Sequence, residues 1–218
     1  MASEQQPVSD EELARQAQAG SASGFEELVR RYENRIYRFV VNQCRTPADA
    51  QEVTQDAFVS AAAHLHNFDP ARSFATWLFT IARRKCIDRQ RANRRHLGVP
   101  NAAAADLMDA DDPAELLARH EARQNLWRLA RRVLPELQFQ ALWLRYAEDL
   151  SVADIARVLG KTSVHVKVLL FRARTVLARE LEQPPGAEAV AAEVKRTAQR
   201  KLSAPTTGLT GMAPSSNL

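Results

Sequence analysis

Apolar positions recur along most of this chain at helical intervals, in runs bounded by capping residues and glycines, and no strand-like alternation of useful strength interrupts them. Ser9 with Glu12 has capping-box spacing and opens a first short helix that Gly20 ends. Ser23 with Glu26 opens a longer one, in which Phe25, Leu28, Val29, Tyr32, Ile36, Phe39 and Val40 keep to one face until about Cys44. Thr46, Pro47 and Asp49 mark the next start, with proline at the first helical position, and Val53, Ala57, Phe58, Ala61 and Leu65 form the apolar face that follows. A break spans Asn67 to Arg72. Ser73 then begins a helix with Phe74, Trp77, Leu78 and Ile81 inward. Phe74 and Trp77 are candidates for stacking on nucleic-acid bases, but their spacing with Leu78 and Ile81 favours a place in the core.

The second half follows a change of composition. Residues 98–115 hold Asp106, Asp109, Asp111, Asp112 and Glu115 and neither lysine nor arginine, which reads as a flexible acidic linker. Asp112 and Pro113 start a helix carrying Leu116, Leu117, Leu126, Leu129 and Val133, and Pro135 restarts the chain into one carrying Leu137, Ala141, Leu142 and Tyr146. Ser151 with Asp154 then caps a helix over 152–159, with Ile155 and Leu159 apolar and Gly160 ending it. Thr162 caps the last one, whose Val164, Val166, Leu170, Ala173 and Leu177 are predicted to face inward. A short helix, a glycine turn and a longer basic helix, in that order, read as a helix-turn-helix unit.

The fold class is therefore all-α: two small helical domains joined by a flexible acidic linker, the C-terminal one a helix-turn-helix. The expected divisions are an N-terminal helix or tail at 1–22, a first domain at 23–97, the linker at 98–112, the second domain at 113–182 and a largely disordered extension at 183–218.

Composition sharpens the functional reading mainly through where the charges lie. A chain of 218 residues with 45% hydrophobic content can bury one or two real cores, and its formal net charge of +4 is modest. The cations cluster, however. Arg83, Arg84, Lys85, Arg89, Arg91, Arg94 and Arg95 crowd one helix against a single acid, Asp88. Lys161, Lys167, Arg172, Arg174 and Arg179 crowd the last one. A basic second helix after a tight turn suits duplex DNA, with cations on phosphates and residues such as Ser163 and His165 on base edges or phosphates.

Other chemistry finds little support. Cys44 and Cys86 have no metal-ligand spacing and read as small buried side chains in a reducing compartment. His64, His66, His96, His120 and His165 form no metal-ligand or nucleophile–base pattern, so no enzyme, metal or cofactor is expected. The N-terminus lacks an apolar export segment and no run is long enough to span a bilayer, which predicts a cytoplasmic protein without direct membrane insertion.

Three segments in order, DAQEVTQDAF (49–58), FDPARSFATWLFTIARRKCIDRQR (68–91) and LPELQFQALWLRYAEDLSVADIARVLG (134–160), resemble the extracytoplasmic-function sigma factors of bacterial RNA polymerase, over roughly Phe25 to Glu182. That resemblance implies a dissociable polymerase subunit that directs the core enzyme to promoters and helps open the duplex. It implies that Asp49, Glu52, Gln55 and Asp56 face core RNA polymerase. Phe68, Arg72, Arg83, Arg84, Lys85, Arg89 and Arg91 would serve promoter DNA on the minus-ten side, and Ser163, His165, Lys167, Arg172 and Arg174 the minus-thirty-five element. An anti-sigma factor is a further implied partner, able to hold the protein at the membrane. Two departures bear on promoter choice. Arg84 replaces an asparagine frequent in the family, and Val168 and Leu169 stand where a small polar residue followed by arginine is common; contact with thymine methyls and packing on an inhibitory partner are both open for them. The competing reading is a stand-alone helix-turn-helix regulator, which the basic patch in the first domain disfavours.

Overall fold

The computed structural model describes residues 8–97 and 114–182. The expected linker at 98–112 and extension at 183–218 lie outside the described residues, as do Asp112 and Pro113. Eight α-helices are described: α1 (Asp10–Gln18), α2 (Ala22–Val41), α3 (Pro47–His64), α4 (Phe74–Leu97), α5 (Ala114–Val133), α6 (Glu136–Tyr146), α7 (Val152–Leu159) and α8 (Ser163–Glu182), with a turn of 3₁₀ helix at Leu65–Asn67.

Local chemistry sets most boundaries. Ser9 Oγ accepts from Glu12 N, Thr46 Oγ1 from Asp49 N with Pro47 in the first turn, and Ser151 Oγ from Asp154 N, so α1, α3 and α7 begin where their capping residues place them. Helix α2 departs from expectation: Ser21, not Ser23, accepts from a backbone amide, that of Gly24. Both serines have the needed acceptor, and the earlier one wins because α1 and α2 meet just there. A Cβ on Gly24 would come within 2.9 Å of the Leu13 carbonyl oxygen, so this close approach needs glycine.

Helices α1 to α4 wrap one part of the core around Leu28, Tyr32, Ile36, Phe39, Val53, Ala57, Phe74, Leu78 and Phe79, all buried. Their alternation of large rings with alanines at Ala50, Ala57, Ala61 and Ala82 lets the helices lie close together. In α5 to α8, Trp127, Phe139 and Trp143 form an aromatic cluster with centroids 4.8–6.1 Å apart, beside Leu144, Ile155, Leu159, Val166 and Ala173. Several expected core positions lie elsewhere: Leu126 is 39% and Tyr146 53% exposed, while Ala130 is fully buried.

The described residues up to Leu177 pack as one compact unit, in which α4 lies against α7 and α2 reaches the turn after α6. Both helical halves thus share a continuous core.

Candidate nucleic-acid and polymerase interface

The acidic face of α3 is built by its N-terminal turn. Gln55 and Asp56 are exposed, and Asp49 and Glu52, one turn apart, converge on a cation from α4. Arg89 donates from Nη2 to Asp49 Oδ1 at 2.5 Å and to Glu52 Oε2 at 2.7 Å, with Nε and Nη1 completing the pair of contacts. Arg89, expected at DNA, and the two acids, expected at polymerase, are joined on folding, because the fifth turn of α4 crosses the start of α3. A hydrogen-bonded ion pair of this kind pushes the Arg89 pKa further up. Beside this face, between α2 and α3, runs a groove of about 710 Å³ lined by Val29, Tyr37, Gln55, Phe58 and the 63%-exposed Val59.

The loop before α4 is held from three sides. Gln18 Nε2 donates to the carbonyls of Leu65 and Phe68 at 2.8 and 2.7 Å, Asp69 Oδ1 accepts from Ala71 N at 3.0 Å, and Glu11 Oε1 accepts from Phe74 N at 3.1 Å. Phe68 was expected at the DNA. It is instead 3% exposed, with its ring 5.5 Å from Phe74 and 5.2 Å from Trp77. Packed there, the ring anchors the loop to the core. Phe74 is buried, as its spacing predicted, and Trp77 is half-buried. Arg72 lies in the open, 3.2 Å from Asp69.

Helix α4 divides its cations by face. Arg83, Cys86 and Gln90 follow one row towards α2 and α6, and Arg83 Nε donates to Gln140 Oε1 at 3.1 Å, with burial lowering its pKa. Arg83 is thus turned away from the surface assigned to it. Arg84, Asp88 and Arg91 follow the opposite row, exposed. Between this row and the end of α3 lies a cavity of about 340 Å³, walled by Trp77, Ile81, Arg84, Lys85, His64 and Asn67. The histidine and asparagine of that wall were missed, since nothing in their sequence spacing links them to α4.

In the helix-turn-helix, Gly160 adopts φ +61°, and the Lys161 amide returns to the Ala156 carbonyl at 2.9 Å, closing α7 as a left-handed cap. Thr162 Oγ1 accepts from His165 N at 3.2 Å and starts α8. Val166, Leu169, Leu170, Ala173 and Leu177 are its buried stripe. Ser163, His165, Lys167, Arg172 and Arg174 are exposed together on the remaining surface. Val164, expected inside, is 71% exposed, because it lies on the face of α8 opposite the buried Val166 and Ala173; Leu169, 6% exposed, takes an inward place instead.

The comparisons fit this arrangement in order. The Sigma-70 region 2 profile matches residues 28–96 and the Sigma-70 region 4 profile residues 126–177. The chain is 33% identical over 174 residues to the ECF RNA polymerase sigma factor SigM of Mycobacterium tuberculosis, covering 79% of this chain and 85% of that one. The chain belongs to the extracytoplasmic-function sigma factors. It is 30% identical over 182 residues to the RNA polymerase sigma-H factor of Pseudomonas aeruginosa, covering 79% of this chain and 94% of that one. Against the ECF factor BldN of Streptomyces coelicolor it is 33% identical over 172 residues, 78% of this chain and 65% of that longer protein. Among solved structures, CnrH in complex with the cytosolic domain of CnrY superposes with a TM-score of 0.57 at 28% identity, over 79% of this chain and 97% of that one. Such factors direct RNA polymerase to promoters and are transcription regulators rather than catalysts.

In this sigma factor regions 2 and 4 touch through polar side chains. Gln140 Nε2 of region 4 donates to Gln43 Oε1 of region 2 at 2.8 Å, both residues buried, and Gln90 Nε2 ties the Gln43 carbonyl to Glu136 at 3.0 Å each. Arg35 on α2 reaches Glu148 in the α6–α7 turn at 2.8 Å, and Trp143 Nε1 donates to the same carboxylate at 3.2 Å. Burial holds Glu148 above the usual carboxylate value despite Arg35. Beneath Gln43, Cys44 and Cys86 are buried side by side; the thiol contact and burial push Cys86 up. Among the described residues no group of His, Cys, Asp and Glu gathers as a metal site, and no helix is long and apolar enough to cross a membrane.

Proposed function

We propose that the sigma-factor activity is divided over three surfaces of this chain. Asp56 and Gln55, with the Asp49–Glu52–Arg89 cluster and the adjoining groove, form the docking face for core RNA polymerase. Acids on an exposed helix suit a basic partner and speed its encounter. Arg84, Lys85 and Arg91 hold the promoter backbone on the minus-ten side, and the cavity beside Trp77 takes a base drawn out of the stack. Such extrusion costs a few kcal/mol, which contacts made only with the free base must offset. Ser163, His165, Lys167, Arg172 and Arg174 bring α8 into the major groove of the minus-thirty-five element. The observation that carries this reading is the two-faced α4: Arg83 and Arg89 are engaged by side chains of the protein itself, whereas Arg84 and Lys85 line a cavity large enough for one base.

An anti-sigma factor is a proposed further partner, supported by the likeness to CnrH, which was solved with the cytosolic domain of CnrY. Sequestration there would place the protein at the membrane without a span of its own.

The test is transcription of genomic fragments by core polymerase with and without the full chain, with start sites mapped. New starts that share two upstream elements support the reading. Promoter binding without core, and no new starts with it, favour a stand-alone regulator.

A further inference from the structure

Opposite the buried stripe of α8, the outermost positions are apolar. Val164, Val168 and Phe171 are 71, 40 and 63% exposed and stand at i, i+4 and i+7, one straight row along the helix. At helical rise the row is about 10 Å long, close to three base-pair steps of a duplex. Lys167 and Arg174 flank it on one side and His165 and Arg172 on the other, and no acidic residue occurs from Lys161 to Arg179.

Two valines and a phenylalanine held in water beside so many cations need an occupant that is both anionic and locally apolar. A docked protein would call for roughly 800 Å² on each side, far more than one three-residue row offers. The DNA major groove supplies both properties: phosphates at its walls and, on its floor, the thymine C5-methyl, the sole apolar group any base edge presents there.

We infer that this row reads thymine methyl groups in the minus-thirty-five element, with Val168 at its centre and Val164 and Phe171 on either side. The inference rests on the proposed entry of α8 into the major groove. Leu169 takes no part, being buried. Lys167, Arg172 and Arg174 hold the phosphates, which fix the register of the helix, and the apolar row selects thymine over cytosine. Cytosine offers an amino donor and no methyl at that place, so the row gains nothing from it and leaves its amine unpaired.

The test uses the holoenzyme of core polymerase and the full chain. It first selects binders from promoter duplexes randomised over the minus-thirty-five region. Thymines are enriched at two or three neighbouring positions, on one strand or the other. Each is then replaced by deoxyuridine, which deletes the methyl alone; affinity falls roughly three- to fivefold per methyl at contacted positions. Val168→Ser, a change at a surface position, abolishes the thymine-to-uracil difference at the central position while the melting temperature stays unchanged. Equal affinity for the two duplexes in the unaltered protein overturns the inference and leaves the row to a protein partner. The control is Lys167→Ala with Arg174→Ala. If that variant loses binding that depends on the minus-thirty-five element while thymine and uracil remain equivalent, α8 is in the groove and only the methyl readout fails. If it keeps such binding in full, the placement of α8 itself fails.

Discussion

The Glu148 carboxylate accepts a hydrogen bond from Arg35 Nε at 2.8 Å, across a sequence separation of 113 residues. Glu148 is almost fully buried, its other oxygen is taken by Trp143 Nε1, and the Arg35 guanidinium lies 4.4 Å over the Tyr32 ring, so one ion pair ties the α6–α7 turn, which leads into the helix-turn-helix, to the core of region 2. Glu148→Ala leaves Trp143 and Arg35 without their acceptor. We expect a loss of about 2 kcal/mol in urea unfolding, less than for a fully buried pair because Arg35 keeps partial access to water. An unchanged midpoint would mean that the pair contributes nothing.

The same carboxylate predicts a pH dependence. Burial raises Glu148 above its ordinary 4.5, outweighing Arg35, Trp143 and Arg38, which pull it down. The folded protein then holds this proton to higher pH than the unfolded chain does. Its contribution to stability is fully present below pH 4.5 and is lost as pH rises through the folded value. Glu148→Gln, which cannot ionise, therefore shows a flatter fall of stability with rising pH in that window than the unaltered protein. Parallel curves for the two proteins would contradict the assignment.

Phe68 distinguishes packing from stacking on DNA. Buried against Phe74 and Trp77, it should cost about 3 kcal/mol or more when cut back to alanine, read as a drop of many degrees in melting temperature without any nucleic acid present. A ring that met only bases would leave that temperature where it was.

Gly24→Ala is expected to destabilise although alanine is the better helix former by up to about 1 kcal/mol, because the added carbon meets the Leu13 carbonyl of α1. A stabilised variant would show that α1 yields without cost.

The cations of α4 should separate by face. Arg84→Ala and Lys85→Ala lower promoter affinity and each reduce the salt dependence of binding by about one ion, with little change in melting temperature. Arg89→Ala instead frees Asp49 and Glu52, and its effect appears first in binding to core polymerase. The reverse pattern would return Arg89 to the DNA.

The starts of α1, α3 and α7 were readable because Ser9, Thr46 and Ser151 act on their own neighbours, three residues away. The stripe of α2 was readable because burial repeats with the helix, and Leu28, Tyr32, Ile36 and Phe39 are all inside. Periodicity marks a face without saying how wide it is, which is why Tyr146 stands in water, and apolar character alone does not assign a face, which is why Val164 stands on the outer side of α8. The choice of Ser21 over Ser23 depends on α1, and the pairing of Arg89 with Asp49 and Glu52 on a helix crossing 40 and 37 residues away; local spacing holds no record of either. The base-sized cavity was hidden likewise, since His64 and Asn67 meet Arg84 and Lys85 only after folding.

The docking role of the α3 face is tested with the least disturbance at Asp56, since Glu52 is engaged with Arg89 while Asp56 is exposed and its reversal leaves that ion pair in place. The measurement is promoter-specific transcript yield from core polymerase titrated with the full chain or with its Asp56→Arg variant. Specific transcripts are expected with the unaltered chain and a loss of at least tenfold with the variant at equal folded concentration, with promoter contacts unaffected once core is in excess. Equal transcript yields across the titration would contradict that role, and absence of specific transcripts from the unaltered chain would contradict it more deeply.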